Sequence, residues 1–440
     1  MNPLAEELNR VIKGRCPLLY NSLSRLGREL YFPRGILTQT AEAREKAYRY
    51  DATIGIAKAR GEAMNLPVIM DQLKGMKPDE ALDYAPSTGN KKLREMWLAD
   101  MIEKNPTLKG KAVSMPIVTA GITHGLTIAA ELFVDSGDLV IIPDKFWGNY
   151  QMIFGIRRQA EIRKFSFYSD SGGFNIDSLR ETLRVALEER GKAIVILNFP
   201  NNPTGYSPLK SEAQEIVDAL LDLATGDRKI ITLFDDAYFG LFYDEEVCKE
   251  SLFALLAGQS ENLISVKLDG ATKEEYVWGL RVGFITFNVI ANGEENEVYE
   301  ALEKKVGGAI RGNISNCSQL SQTVLLKAME DPLFSEQRLK NYEIMKARAS
   351  KVREVLVDPA YEGVWEAYPF NSGYFMCLKL KGIDAEAFRV KLLKDFGVGV
   401  IADGGDIRIA FSCLEVEEIK EVFDIMFECA IKMKEEKGRL

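Results

Sequence analysis

Ser265–Phe287 reads SVKLDGATKEEYVWGLRVGFITF, and the rest of the chain is interpreted outward from it. The apolar run Asn262–Leu268 predicts a strand ending in a Gly-containing turn at Gly270. Lys273 follows the turn, and Gly279-Leu280-Arg281-Val282-Gly283 leads into a second apolar strand. A lysine just past a strand end can condense with an aldehyde cofactor. An arginine eight residues further on, with glycine on both sides, is a permanently charged fork suited to a phosphate. Taken alone, the two charges fit a solvated turn equally well.

Composition narrows the function classes. The chain has 440 residues, 46% hydrophobic and 28% charged, enough for one large domain and a smaller one. A net charge of −9 argues against nucleic acid or an anionic membrane as the main partner. No apolar run approaches the ~18–20 residues that span a bilayer. Met1–Arg15 carries acidic residues and no long apolar core, so a signal peptide is not expected and the expected location is cytoplasmic. The six cysteines, Cys16, Cys248, Cys317, Cys377, Cys413 and Cys429, form no CxxC pair. They are expected to be buried free thiols, with no disulfide framework and no metal site. The single histidine, His124, leaves carboxylates, lysine, tyrosine and cysteine as the other candidate bases.

In chain order, residues 1–50 read as amphipathic helices without chemistry, and Tyr50–Ile56 as a short β-prone stretch around Gly55. Tyr84, Pro86 and Gly89 precede a helix with a basic start, NKKLREMWLADMIEK. The strand Ser114–Ala120 turns through Gly121-Ile122-Thr123-His124-Gly125 into a helix, and such a helix start is an anion site. Neither GxGxxG nor a Walker A sequence occurs, which disfavours nucleotide binding. Beyond the strand Leu139–Pro143 lies Trp147, placed either to pack in the core or to stack on a flat ligand. The strand Ala193–Phe199 ends in the tight turn Pro200-Asn201-Asn202-Pro203-Thr204-Gly205. The strand Lys229–Phe234 ends in Asp235-Asp236-Ala237-Tyr238, and a carboxylate at a buried strand end requires a partner. Val298–Ala309 reads as a helix followed by Ile310-Arg311-Gly312-Asn313-Ile314-Ser315-Asn316, and Asp331–Val357 as a long charged helix. Gly373–Leu378 and Ile407–Phe411 read as strands, the second carrying Arg408 in an apolar run. An arginine so placed either faces water at a sheet edge or is held for an anion.

The order of these motifs resembles that of the fold-type-I, pyridoxal 5'-phosphate-dependent aminotransferases of class I/II, closest to the aspartate and aromatic aminotransferases. The resemblance runs from Gly55 to Phe411 and implies an α/β fold. A large domain with a mostly parallel sheet flanked by helices is joined by a small α+β domain made of both termini. The implied division is 1–75 (N-terminal arm and part of the small domain), 76–330 (large domain) and 331–440 (C-terminal small domain).

The resemblance further implies that Lys273 is the catalytic, cofactor-bearing lysine. Ile122, Thr123 and Arg281 would bind the cofactor phosphate, joined by Tyr84 from the neighbouring subunit. Trp147 would cover the ring, Asp235 would meet the pyridine nitrogen, and Asn202 and Tyr238 the phenolic oxygen. Gly55 and Arg408 would receive the substrate α-carboxylate. Arg311 would reach the other subunit's site to bind a distal carboxylate, and Ser315 would lie near that subunit's phosphate. A homodimer with shared sites follows, acting on amino acids and 2-oxo acids such as aspartate, glutamate and 2-oxoglutarate, with aromatic acids as further substrates. One departure is Gly270, where the family often has a phosphate-binding serine. A C–S lyase or related eliminating enzyme on the same fold is the alternative. A PLP-sensing regulator fits less well, since the first 50 or so residues are too short and too weakly basic for a DNA-binding domain.

Overall fold

The apolar runs in the middle of the chain are the strands of one seven-stranded sheet. The computed structural model describes residues 1–32 and 35–438. The strands are β1 (Ile117–Thr119), β2 (Leu139–Pro143), β3 (Glu161–Phe165), β4 (Lys192–Asn198), β5 (Lys229–Asp235), β6 (Leu263–Asp269) and β7 (Gly283–Asn288). Their spatial order is β1-β7-β6-β5-β4-β2-β3, and only β7 runs antiparallel to its neighbours. Successive side chains point to opposite faces, and both faces are covered. Ala193, Val195 and Leu197 pack in one core with helices Ile176–Arg190 and Lys210–Leu223. Ile194 and Ile196 pack in the other, with α1 (Ile122–Phe133) and α2 (Glu295–Asn313). This double burial is why the strands read as continuous apolar runs.

A second sheet, four-stranded and antiparallel, is built from β8 (Trp365–Ala367), β9 (Phe375–Leu380), β10 (Ile401–Asp403) and β11 (Asp406–Ala410), in the order β8-β9-β11-β10. The chain's beginning joins this unit: Tyr50–Asp51 pairs with Val398–Gly399. α3 (Phe334–Leu356) leads into it, and the C-terminal helix Val416–Gly438 packs along α3. Residues 439 and 440 lie outside the described residues.

Several boundaries differ from the sequence reading. The first strand is confined to Ile117–Thr119 because Pro116 has no N–H to give the ladder. The helix expected to stop at Ala309 continues to Asn313, so Arg311 sits in its last turn. Pairing stops at Asp51, short of Ile56, because the following backbone is used differently, as described below. Cys16 is exposed, contrary to the expectation of buried thiols, since it caps two N-terminal helices away from the core.

Candidate active site

Parallel strands leave their carboxyl ends on one side of the sheet, and ligands of such folds bind there. Lys273 lies just past β6 in a single helical turn, Ala271–Glu274. The Tyr374 hydroxyl donates to its carbonyl oxygen at 2.8 Å, holding the turn in place. Its Nζ donates to the Gly55 carbonyl at 2.9 Å and sits 5.0 Å from the centre of the Tyr238 ring. Burial, followed by repulsion from Arg281 and Arg408, lowers the ammonium pKa to about 7. A neutral amine is therefore available near physiological pH.

A helix start faced by Arg281 forms the next part of the site. Gly121 has φ +80°, and any Cβ there would collide with the Arg281 guanidinium. Gly283 likewise lets β7 approach the Gly121–Ile122 backbone at the start of α1. Arg281 uses Nη1 on the Trp278 carbonyl at 3.2 Å and faces this helix start, where Ile122 and Thr123 occupy the first turn. Gly270 is explained sterically. A Cβ there would lie 2.7 Å from Gly283 Cα and from the Val282 oxygen, so the serine common in the family has no room. His124 accepts the Ala120 N–H on Nδ1 at 3.1 Å, and burial lowers its pKa, which keeps it neutral.

Asp235 ends β5, buried, and among the described residues no cation is in hydrogen-bonding contact with it. Its Oδ2 accepts from the Tyr150 hydroxyl at 2.5 Å and its Oδ1 from the Ala237 N–H at 3.3 Å. Burial raises its pKa to about 6, while the Tyr150 hydrogen bond opposes the rise. Asp236 has a separate purpose. It pairs with the buried Lys267 and accepts from Ser251 Oγ at 2.6 Å, behind the site.

Arg408, on β11, is buried with its guanidinium 4.2 Å from the centre of the Phe375 ring. Nη2 donates to the Thr53 carbonyl at 2.9 Å and Nη1 to Asn202 Oδ1 at 3.2 Å, while Nε has no partner. Asn202 is fixed through its own N–H on Asn198 Oδ1 at 2.8 Å. The backbone from Ala52 to Ile56 forms a strap over the site, and its carbonyls accept from donors around it. The Ala410 N–H donates to the first, Arg408 to the second and Lys273 to the fourth, while the single Cys413 thiol hydrogen lies within reach of the third and the fifth. A Cβ at Gly55 would lie 3.4 Å from Lys273 Nζ and 3.2 Å from the Phe375 ring.

The structure thus gathers Gly55, Ile122, Thr123, Asn202, Asp235, Tyr238, Lys273, Arg281 and Arg408 around one end of the sheet. Trp147 stands on the loop after β2, half-buried, edge-on to Tyr150 with ring centres 5.8 Å apart. Tyr84 and Arg311 do not join this group. Tyr84 is 90% exposed, and Arg311 is exposed with Nη1 on Ser315 Oγ at 2.7 Å. Sequence reasoning missed Tyr150, Tyr374, Phe375 and Cys413. Tyr150 stands three residues past Trp147 with no pattern to single it out, Tyr374 and Phe375 lie in an apolar run that reads as core, and Cys413 was read only as a buried thiol.

Residues 54–425 match the family model described as aminotransferase class I and II. The chain belongs to the class I and II aminotransferases. Among relatives of this aminotransferase, a probable N-acetyl-LL-diaminopimelate aminotransferase of Bacillus subtilis is 24% identical over 81% of this chain and 84% of its own length. The mitochondrial aspartate aminotransferase of Saccharomyces cerevisiae is 24% identical over 70% of this chain and 74% of its own. An aminotransferase structure from Anaerococcus prevotii superposes with TM-score 0.82 at 23% identity, covering 93% of this chain and 98% of that one. The cytoplasmic aspartate aminotransferase of S. cerevisiae does so with TM-score 0.77 at 20% identity, over 94% and 99%. The fold is therefore fold type I, and the enzyme is a transaminase that depends on pyridoxal 5'-phosphate.

The residues present fit that group. A buried carboxylate without a cation suits a protonated pyridine nitrogen. The glycine-lined corner under Arg281 suits a phosphate. A lysine whose amine is neutral near pH 7 suits an aldehyde.

Proposed function

We propose that this aminotransferase moves the amino group of aspartate or glutamate to a 2-oxo acid such as 2-oxoglutarate, with aromatic amino acids as further donors. The convergence of Lys273, Asp235 and Arg408 on one buried space carries this reading. Arg408, with an unpartnered Nε, offers a fork for the amino acid's α-carboxylate beside Gly55. Ile122, Thr123 and Arg281 hold the cofactor phosphate, joined by the partner subunit's Tyr84. Trp147 covers the ring, and Asn202 and Tyr238 face its phenolic oxygen. Bound there, pyridoxal phosphate supplies an electron sink for negative charge at the substrate's α carbon. Asp235, held by Tyr150, keeps the pyridine nitrogen protonated. Lys273 Nζ takes the proton from the α carbon, as its lowered pKa allows.

The distal carboxylate is assigned to the partner subunit's Arg311, which supports a homodimer. Large apolar side chains also stand exposed close in sequence to Tyr84 and Arg311, among them Leu82 and Ile314. The division at 75/76 and 330/331 accompanies this reading, as does a cytoplasmic location. Among the described residues no helix is long and apolar enough to cross a membrane.

The test is the visible spectrum of the purified, cofactor-loaded protein as single amino acids are added without a keto acid. Conversion to the pyridoxamine form by aspartate or glutamate supports both the half-reaction and Arg311. Conversion by aromatic amino acids alone removes the dicarboxylate assignment. Release of pyruvate and ammonia from cysteine-type substrates, without the pyridoxamine form, replaces transamination by β-elimination.

A further inference from the structure

Arg408 and the cofactor loops belong to different sheets, so something must hold the strand that carries Arg408 against the large domain. Lys145, on the loop after β2, pairs its ammonium with Asp406 Oδ2 across 261 residues of chain. The two side chains are 21% and 9% exposed. The Tyr368 hydroxyl donates to the other carboxylate oxygen at 3.0 Å, and Lys145 Nζ lies 5.0 Å from the centre of the Tyr368 ring. Asp406 is two residues before Arg408 on β11, so both side chains leave the same face of the strand. Lys145 is two residues before Trp147, and its carbonyl accepts from Asn201 Nδ2 at 3.2 Å. Asn202, next in sequence, accepts from Arg408.

These contacts close a ring: Arg408, Asn202, Asn201, Lys145, Asp406 and back along β11. We propose that the Lys145–Asp406 pair is a latch between the two domains that sets the affinity for carboxylate substrates, with both residues positioning Arg408. The reason is geometric. Asn371, Ser372 and Cys377 tie the neighbouring part of the small domain to Gly205, Ser207 and Pro203, and the Lys145–Asp406 pair adds a tether on Arg408's own strand. A shielded pair with a supporting tyrosine also loses more on truncation than an exposed pair does. The seam continues beyond it, since Tyr168 stacks on Tyr368 at 5.3 Å and donates to the Pro369 carbonyl at 2.8 Å.

The latch rests on Arg408 being the carboxylate anchor, and the experiment separates the two claims. Maleate binding to the cofactor-loaded protein is measured by calorimetry, and KM and kcat with aspartate and 2-oxoglutarate, for Lys145→Met, Asp406→Asn, the double variant and Arg408→Lys. Both single variants are expected to weaken maleate binding and raise KM by about tenfold as the latched fraction falls. kcat should stay within about threefold, and the double variant should be no worse than either single one. Lys145→Met reads the same ring from its more exposed side should Asp406→Asn fail to fold. Maleate affinity within twofold of wild type in the single variants, or effects that multiply in the double variant, overturns the latch. If Arg408→Lys also leaves maleate affinity unchanged, the carboxylate assignment fails instead.

Discussion

Lys273 combines two requirements that conflict in water, since it is a base at neutral pH and it sits between two arginines in a buried site. Its depressed pKa has consequences that can be measured without turnover. In the apoprotein, capture of pyridoxal phosphate should rise through a midpoint near pH 7, well below that of an ordinary lysine. Between pH 7 and 10.5 the native state binds fewer protons at this residue than the unfolded chain, so stability from this group increases with pH across that window. Lys273→Met should therefore stabilise the apoprotein most at pH 6, with the gain shrinking towards pH 10, as followed by thermal unfolding. Lys273→Ala should retain measurable cofactor binding but lose turnover by roughly 10²–10⁴-fold or more, read by spectrum and steady-state rate. Tyr150→Phe removes a hydrogen bond to the ionised Asp235 worth about 1.5–3 kcal/mol. The Asp235 pKa then rises, and the acid limb of the pH–rate profile should move to higher pH. Lys273, Asp235 and Arg408 were legible because a charge in or beside an apolar run demands an explanation. A tyrosine in a loop makes no such demand, so Tyr150 needed the folded geometry to be noticed.

Among the elements, β2, β4, β5 and β6 were legible to within a residue, because burial on both faces leaves long runs of Val, Ile and Leu, whereas the charged, partly exposed strand Glu161–Phe165 was not read. Nor was the strap from Ala52 to Ile56 legible. Its composition suits a strand, but beyond Ala52, which accepts from the Ala410 N–H, its carbonyls accept from scattered side chains of the site. Arg311 was placed beyond its helix, which was read as ending at Ala309, whereas the helix runs on through Gly312 to Asn313. The meeting of β6 and β7 gives a prediction at this scale. Gly270→Ser would restore the family's common residue yet press its Cβ onto the β7 backbone. It should destabilise the protein by about 1–3 kcal/mol, seen in a urea midpoint, without tightening cofactor binding in a titration.

For the whole molecule, the α/β architecture followed from motif order, with the Gly121, Trp147, Asn202, Asp235 and Lys273 motifs each falling at or just past a strand's carboxyl end. The sharing of sites between subunits is tested by mixing inactive variants. Lys273→Ala and Arg311→Ala, dissociated and reassociated together, form hybrids with one intact site each. Random pairing should return roughly a quarter of wild-type activity, and no recovery would rule out sharing. The strap has one further consequence. Its Thr53 and Gly55 carbonyls accept from the same Arg408 and Lys273 side chains that an incoming carboxylate and an aldehyde require. The backbone thus serves as an aiming rest that holds both side chains in place while leaving the Lys273 lone pair and the Arg408 Nε free.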